Sequence, residues 1–224
     1  FGDGGLAGLL EPGDTVVEGG NSRWTDDLPR AERLEALGIS YVDVGVSGGP
    51  AGAREGACLL IGGAHDDFER LRPLWTDLTV PDGFRHFAGV GAGHFVKMVH
   101  NGIEYGMMQA IAEGFTVLKA SDYSIDLTEA AAVYNRGSVI ESRLVGWLEN
   151  AFRLHGEGLG GVSGTVAHTG EGEWTLDAAR DLGIRARVIE DALRFRVESE
   201  RDPDWTGRVL SALREQFGRH AVEE

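Results

Sequence analysis

Three short apolar runs in the first third of the chain each end in paired glycines. They are Thr15-Val-Val-Glu-Gly19-Gly20, Tyr41-Val-Asp-Val-Gly-Val-Ser47-Gly48-Gly49 and Cys58-Leu-Leu-Ile-Gly62-Gly63. Short apolar runs of this length, mostly valine and leucine and closed by glycine, predict strands. Helical patterns fill about 25–37, stopped by Gly38, and about 65–77. The alternation predicts βαβ units and a mostly parallel sheet, with room for one reversed strand. Beyond about residue 88 the strand signals stop. Helices are predicted over about 90–120, 127–135, 138–154, 175–182 and 187–199. Asp126-Leu-Thr-Glu129 is a capping box that opens the second of these, and Gly183 ends the fourth. Residues 156–172 read as a Gly/Ser/Thr-rich loop and 202–224 as a tail. The expected organisation is an α/β piece over 1–88 and an all-α domain over 89–224.

In such sheets ligands bind outside the carboxyl ends of the strands, where Gly-Gly lets a ligand approach the backbone. The same glycines also suit tight turns, and the pattern does not separate the two. The first element of a dinucleotide domain should be strand, G-x-G-x-x-G, helix. No predicted strand in the 224 residues leads into such a fingerprint, and Phe1-Gly-Asp-Gly-Gly5 follows no strand.

Composition narrows the partners. Thirty-six acidic residues against 21 basic ones give a net charge of −15. That field disfavours nucleic acid and anionic membrane. No apolar run approaches the roughly 18 residues of a membrane span. The single cysteine, Cys58, excludes an internal disulfide and a cysteine-based metal site. Its place in an apolar run predicts a buried strand position. His94, His100 and His220 lack a ligand spacing with Asp or Glu, so no metal is expected.

Candidate chemistry concentrates in Gly91–Gly106. As a helix, this stretch puts Lys97, His100, Asn101 and Glu104 at i, i+3, i+4 and i+7, on one face. Val96, Val99, Ile103 and Met107 form a separate apolar stripe, read as the packing side. A solvated face carries the same residue types. Gly93, Gly102 and Gly106, each costing roughly 1 kcal/mol of helix stability, point instead to a close approach by backbone or ligand.

The segment Gly-Ala-Gly-His-Phe-Val-Lys97-Met-Val-His100-Asn101-Gly-Ile-Glu104-Tyr105-Gly106 closely resembles the substrate helix of decarboxylating 6-phosphogluconate dehydrogenases. The resemblance extends through Glu18-Gly-Gly-Asn-Ser22, Val44–Gly56, Gly170-Glu-Gly-Glu173-Trp-Thr175 and Arg214-Glu-Gln-Phe-Gly-Arg-His220, and so covers nearly the whole chain. Met107, where the long enzymes carry Asp, is similar to the short-chain branch. The resemblance implies an α/β remnant of a Rossmann-type dinucleotide-binding domain followed by an all-α domain. Phe1 corresponds to a point inside the nucleotide domain, so the fingerprint would lie upstream.

The implied activity is oxidation of 6-phospho-D-gluconate by NAD or NADP, with loss of CO2, to D-ribulose 5-phosphate. Lys97 corresponds to the general base and Glu104 to the acid. A lysine acts as base only if its pKa falls from about 10.4 toward neutrality. The resemblance implies that Asn21 lies by nicotinamide and substrate, and that Ser47, Gly48 and Gly49 bind the carboxylate. His100 and Asn101 would contact hydroxyls, and Tyr105, Arg196, Arg214 and His220 would hold the phosphate. It also implies a cytoplasmic homo-oligomer, dimer or tetramer, whose tail reaches a neighbouring subunit's site. Glu173 departs from the family, which has a cation there, and so bears on phosphate selectivity; Arg185 and Arg187 replace a proline and an apolar residue. A dehydrogenase for another β-hydroxy acid, such as unphosphorylated gluconate, and a catalytically silent sugar-acid-binding fragment are the alternatives.

Overall fold

The computed structural model describes Phe1 and residues 5–218. The chain divides into two compact units, Phe1–His100 and Asn101–Glu224. The division falls inside a long helix, whereas the composition shift lies near 88.

In the first unit a four-stranded sheet runs β1 (Thr15–Glu18), β2 (Ser40–Ser47), β3 (Ala57–Ile61), β4 (Thr79–His86), with spatial order equal to chain order. β1 pairs parallel with β2, with Val16 opposite Tyr41, and β3 parallel with β4. β2 and β3 are antiparallel, with Gly45 opposite Leu60, so one reversal occurs in the sheet. Tyr41 to Gly45 are all buried because both faces of β2 are covered, as its continuous apolar run requires. Val42, Val44, Leu59, Ile61, Phe68 and Trp75 form one core cluster, and Leu34, Ile39 and Tyr41 another. Helix α1 (Asp27–Glu35) links β1 to β2, and the short α2 (Gly49–Glu55) links β2 to β3.

Several local details differ from the sequence reading. The helix expected over 65–77 is two, α3 (His65–Arg70) and α4 (Arg72–Leu78), because Pro73 begins a new helix and cannot continue one. β4 carries no strand signal: Pro81-Asp82-Gly83 spells a turn, yet an edge strand tolerates it, with Asp82 at φ 59°. Cys58 is exposed rather than buried, since strand alternation turns Ala57, Leu59 and Ile61 inward and Cys58 outward.

The second unit holds only helices among its described residues: the rest of α5 (Ala92–Ala120), then α6 (Leu127–Tyr134), α7 (Arg143–His155), α8 (Glu171–Asp181), α9 (Arg187–Ser199) and α10 (Trp205–Gly218). Asp126 accepts the Glu129 N–H at 2.8 Å and caps α6; Ser142 caps α7 through Val145, which delays that helix to 143. α10 occupies most of the span read as a tail. Trp205, Val209, Leu210, Leu213 and Phe217 recur at helical spacing, Asp204 accepts the Gly207 N–H, and Val209, Leu210, Ala212 and Leu213 are fully buried. The core joins these to Met108, Ala112, Phe115, Leu148 and Phe152. On α5 the packing stripe is Met98, Tyr105, Met108, Ala112 and Phe115, while Ile103 and Met107 are 53% and 43% exposed. The expected Val96/Val99/Ile103/Met107 stripe is therefore not the buried one. α5 is apolar on more than one side, and periodicity alone does not choose between stripes.

Candidate active site

All of Lys97, His100, Asn101, Glu104 and Tyr105 lie on the one helix α5, which crosses the division between the units. Within the first unit, the amino end of α5 is seated on the sheet by two glycines. A Cβ on Gly93 would collide with the Leu60 carbonyl and meet Gly62 N at 2.6 Å; a Cβ on Gly45 would collide with the Lys97 side chain. The glycines thus admit backbone and the lysine stem. Lys97 is half-buried there. Ser47, at the carboxyl end of β2, has Oγ 3.3 Å from His100 Nε2. Gly48 and Gly49 follow at φ 136° and 58°, where a Cβ is disfavoured, and a Cβ on Gly48 would sit 3.0 Å from Gly52 Cα. At the carboxyl end of β1, Glu18 Oε1 accepts the Gly20 N–H at 2.7 Å, and Asn21 follows on the surface.

Beneath these groups lies a buried polar network. Asp43, fully buried in the middle of β2, accepts the N–H groups of Gly91 and His94 at 2.8 and 3.0 Å and so caps α5. Burial raises its pKa, against the pull of those two hydrogen bonds. Asp27, also fully buried, accepts from Tyr41 Oη and meets His94 Nδ1, both at 2.8 Å. Burial, then the Asp27 hydrogen bond, pushes the Tyr41 hydroxyl well above its ordinary pKa. Glu18, Asp27 and His94 bring carboxylate and imidazole atoms close enough to surround a cation. Both Asp27 oxygens lie within hydrogen-bond distance of Tyr41 and His94, and Arg30 approaches Asp27 and Glu18 at 3.8 and 3.5 Å.

Within the second unit, Asn101 Nδ2 donates to Glu171 Oε1 at 3.3 Å, and Thr169 Oγ1 donates to Glu171 Oε2 at 2.7 Å. Tyr105 is buried, and the Arg196 guanidinium carbon lies 3.4 Å from its ring centroid. Arg196 is 2% exposed, its Nη2 reaches the Met108 sulfur at 3.9 Å, and its Nε has no hydrogen-bond partner among the described residues. Burial lowers its pKa to about 10; Tyr105 opposes this and the neighbouring charge of Arg214 adds to it. Arg214, also buried, is lowered by burial too, while Tyr105, Glu171 and Glu104 hold its charge. Two desolvated guanidinium groups close enough to feel each other's charge can offer paired N–H groups to an anion. Gly172 makes room for the Tyr105 ring, which a Cβ would meet at 2.7 Å.

Of the residues named from the sequence, Ser47 and His100 come together in the first unit, and Asn101, Tyr105, Arg196 and Arg214 cluster in the second. His220 lies outside the described residues. Glu173 is exposed on the first turn of α8, its carboxylate 3.9 Å from His168 Nδ1. Arg185 and Arg187 are exposed and line a surface cavity of about 350 Å³. Asp27, Asp43, His94 and Glu171 were not named as site residues from the sequence. His94 and Glu171 lie inside two of the motif segments, Asp43 is a charge in the centre of an apolar run, and Asp27 carries no signal.

Two family models match the chain: the NAD binding domain of 6-phosphogluconate dehydrogenase over residues 1–80, and the 6-phosphogluconate dehydrogenase C-terminal domain over residues 93–212. A Bacillus subtilis protein, YqeC, whose 6-phosphogluconate dehydrogenase name is provisional, is 44% identical over 96% of the chain and 72% of its own length. The NAD(+)-dependent, decarboxylating 6-phosphogluconate dehydrogenase of Haloferax volcanii is 42% identical over 95% of the chain and 71% of its own length. Among solved structures, Plasmodium falciparum 6-phosphogluconate dehydrogenase superposes with a TM-score of 0.76 at 27% identity, covering 87% of the chain and 44% of that protein.

Proposed function

Because the chain belongs to the 6-phosphogluconate dehydrogenase family, a family of NAD(P)-linked oxidoreductases, we propose that it converts 6-phospho-D-gluconate to D-ribulose 5-phosphate and CO2 with NAD or NADP. The observation that carries the substrate reading is the pair Arg196 and Arg214, buried beside Tyr105, with the Arg196 Nε–H unpaired among the described residues. Burying such charges is costly unless an anion compensates them, and a phosphate oxygen array matches a planar guanidinium.

The exposed Asn21 after Gly19-Gly20 fits the amide edge of a nicotinamide, since the glycines leave the backbone uncovered there. The bound nucleotide supplies the hydride acceptor. Ser47 with Gly48 and Gly49 holds the substrate carboxylate in a backbone nest, and His100 and Asn101 take its hydroxyls. Lys97 removes the proton of the reacting hydroxyl as hydride leaves the same carbon. The β-keto acid so formed loses CO2 because its ketone accepts the electron pair. Glu104 then delivers a proton to the enediol carbon. A homo-oligomer whose tail, with His220, completes a neighbouring site belongs to the same proposal.

Glu173 favours a second reading, a dehydrogenase for an unphosphorylated β-hydroxy acid, since a carboxylate stands where relatives would offer a cation. The test offers the full chain 6-phosphogluconate and gluconate with each coenzyme and follows reduced nucleotide and CO2. Equimolar CO2 and reduced nucleotide with a preference for 6-phosphogluconate is expected. Lys97→Met should lower kcat by at least about 10²-fold, the low end for losing a general base. A preference for gluconate would support the second reading, and near-normal turnover by Lys97→Met would remove the base assignment.

A further inference from the structure

The carboxyl end of β1 and the amino end of α5 meet over ionisable groups that the reaction above leaves unused. The His94 side chain is 1% exposed and that of Asp27 fully buried. Asp27 accepts from Tyr41 through one oxygen and faces His94 Nδ1 at 2.8 Å with the other, so Nδ1 carries a hydrogen. The opposite nitrogen, Nε2, is sealed from solvent, makes no hydrogen bond among the described residues and faces Glu18 Oε2 at 3.7 Å. That oxygen is equally sealed. A neutral ring would aim a lone pair at a carboxylate across a low-dielectric gap; a protonated ring aims an N–H at it.

We propose that His94 is a positioning residue, held as an imidazolium that clamps Glu18 of β1 to Asp27 of α1 and so fixes the Glu18–Asn21 loop against the helix that carries Lys97. Glu18 transmits the clamp, because its other oxygen holds the Gly20 N–H at 2.7 Å, one residue before Asn21. Lys97 lies one helical turn beyond His94. Among the described residues, the charged groups acting on the ring are Glu18 from β1, Asp27 from α1 and Asp43 from β2; Arg30 of α1 pairs with Glu18 and Asp27, and Tyr41 donates to Asp27. Burial lowers the His94 pKa, but the Asp27 hydrogen bond and the charges of Asp27, Glu18 and Asp43 outweigh it and leave the pKa above the ordinary 6.5. Because the pKa is raised on folding, the clamp contributes fully below that ordinary value and is lost as pH rises through the folded-state pKa. A role in turnover rests on the reading of Asn21 and Lys97 given above; the charge on the ring does not.

The test is a pH titration of the His94 ring nitrogens and the Gly20 amide by ¹⁵N NMR in the full chain, repeated with Glu18→Gln. An amide there keeps the acceptor for Gly20 but removes the charge that His94 faces. In the unaltered protein the ring should remain charged at pH 7, and the Gly20 amide should shift with the same midpoint. Glu18→Gln should lower that midpoint by about one pH unit, the size expected for losing one partly buried charge. The alkaline limb of kcat/KM for the coenzyme should move down with it. A ring neutral at pH 7, a midpoint that Glu18→Gln leaves in place, or a Gly20 amide that ignores the ring overturns the clamp. So does a stoichiometric divalent metal whose chelation changes the ring signals. The NMR readouts need no substrate, so they hold or fail apart from the 6-phosphogluconate assignment.

Discussion

At the residue scale, the most informative side chain is Arg196. Its guanidinium is buried against Tyr105 and Met108, and burial holds its pKa near 10. A base with a lowered folded-state pKa binds its proton less well folded than unfolded. It therefore weakens the fold below that pKa, and the penalty is relieved as pH rises through about 10. A bound phosphate would relieve it at neutral pH. Arg196→Met should accordingly leave the thermal midpoint of the free protein unchanged or higher, while raising KM for 6-phosphogluconate at least about 10-fold, the worth of one charge-assisted hydrogen-bond pair. Differential scanning fluorimetry with and without substrate, beside steady-state kinetics, measures both. A fall in midpoint with unchanged KM would make Arg196 a structural residue. Glu173, by contrast, is 54% exposed, so its effect on an anion is screened. Glu173→Lys should strengthen 6-phosphogluconate binding by on the order of 1 kcal/mol, shrinking at high salt, with gluconate nearly unaffected. An equal gain for both substrates would detach Glu173 from phosphate selectivity.

Elements record how close the approach between them must be. Gly93 lets α5 rest on the sheet, with the Leu60 carbonyl and the Gly62 and Asp43 backbones all within reach of an added Cβ. Gly93→Ala should lower unfolding stability by about 1–3 kcal/mol through overpacking, offset in part by the better helix propensity of Ala. Urea unfolding gives the value, and an unchanged midpoint would mean that the helix can lift freely from the sheet. Gly102 and Gly106 follow the same rule within the second unit: an added Cβ would meet Thr175 at 2.7 Å and Val188 at 3.0 Å. The helix glycines were readable as close-approach positions from the sequence; that protein groups make the approach was not. The strands with apolar cores and the capped helix α6 were equally legible, because their signals are local. β4 and α2 were not, since their segments hold turn residues or are too short to show a period.

For the whole molecule, α10 changes what the end of the chain can be asked. Residues 205–218 are a core element, with Ala212 and Leu213 fully buried and Arg214 7% exposed. Removing 211–224 should therefore abolish cooperative folding, whereas removing only 219–224, with His220, should keep the fold and raise KM for the sugar phosphate more than for the coenzyme. Circular dichroism separates the first outcome and initial-rate kinetics the second; a normal sugar-phosphate KM in the shorter deletion would detach His220 from the site. No helix among the described residues is long and apolar enough to cross a membrane, in keeping with the short apolar runs of the sequence.

By itself the sequence determined the order of an α/β piece and an all-α piece, the family, and the helix that carries Lys97, His100, Asn101, Glu104 and Tyr105. Those follow from local periodicity and from contiguous motifs, which survive without knowledge of distant contacts. Tertiary structure alone decided which stripe of α5 is buried, that β2 and β3 run antiparallel, and that Arg196 stacks on Tyr105 beside Arg214. It also decided that Glu18, Asp27, Tyr41, Asp43 and His94, scattered over 77 positions, close into one sealed network. Burial and charge pairing are sums over residues far apart in the chain, and no window along the sequence contains their terms.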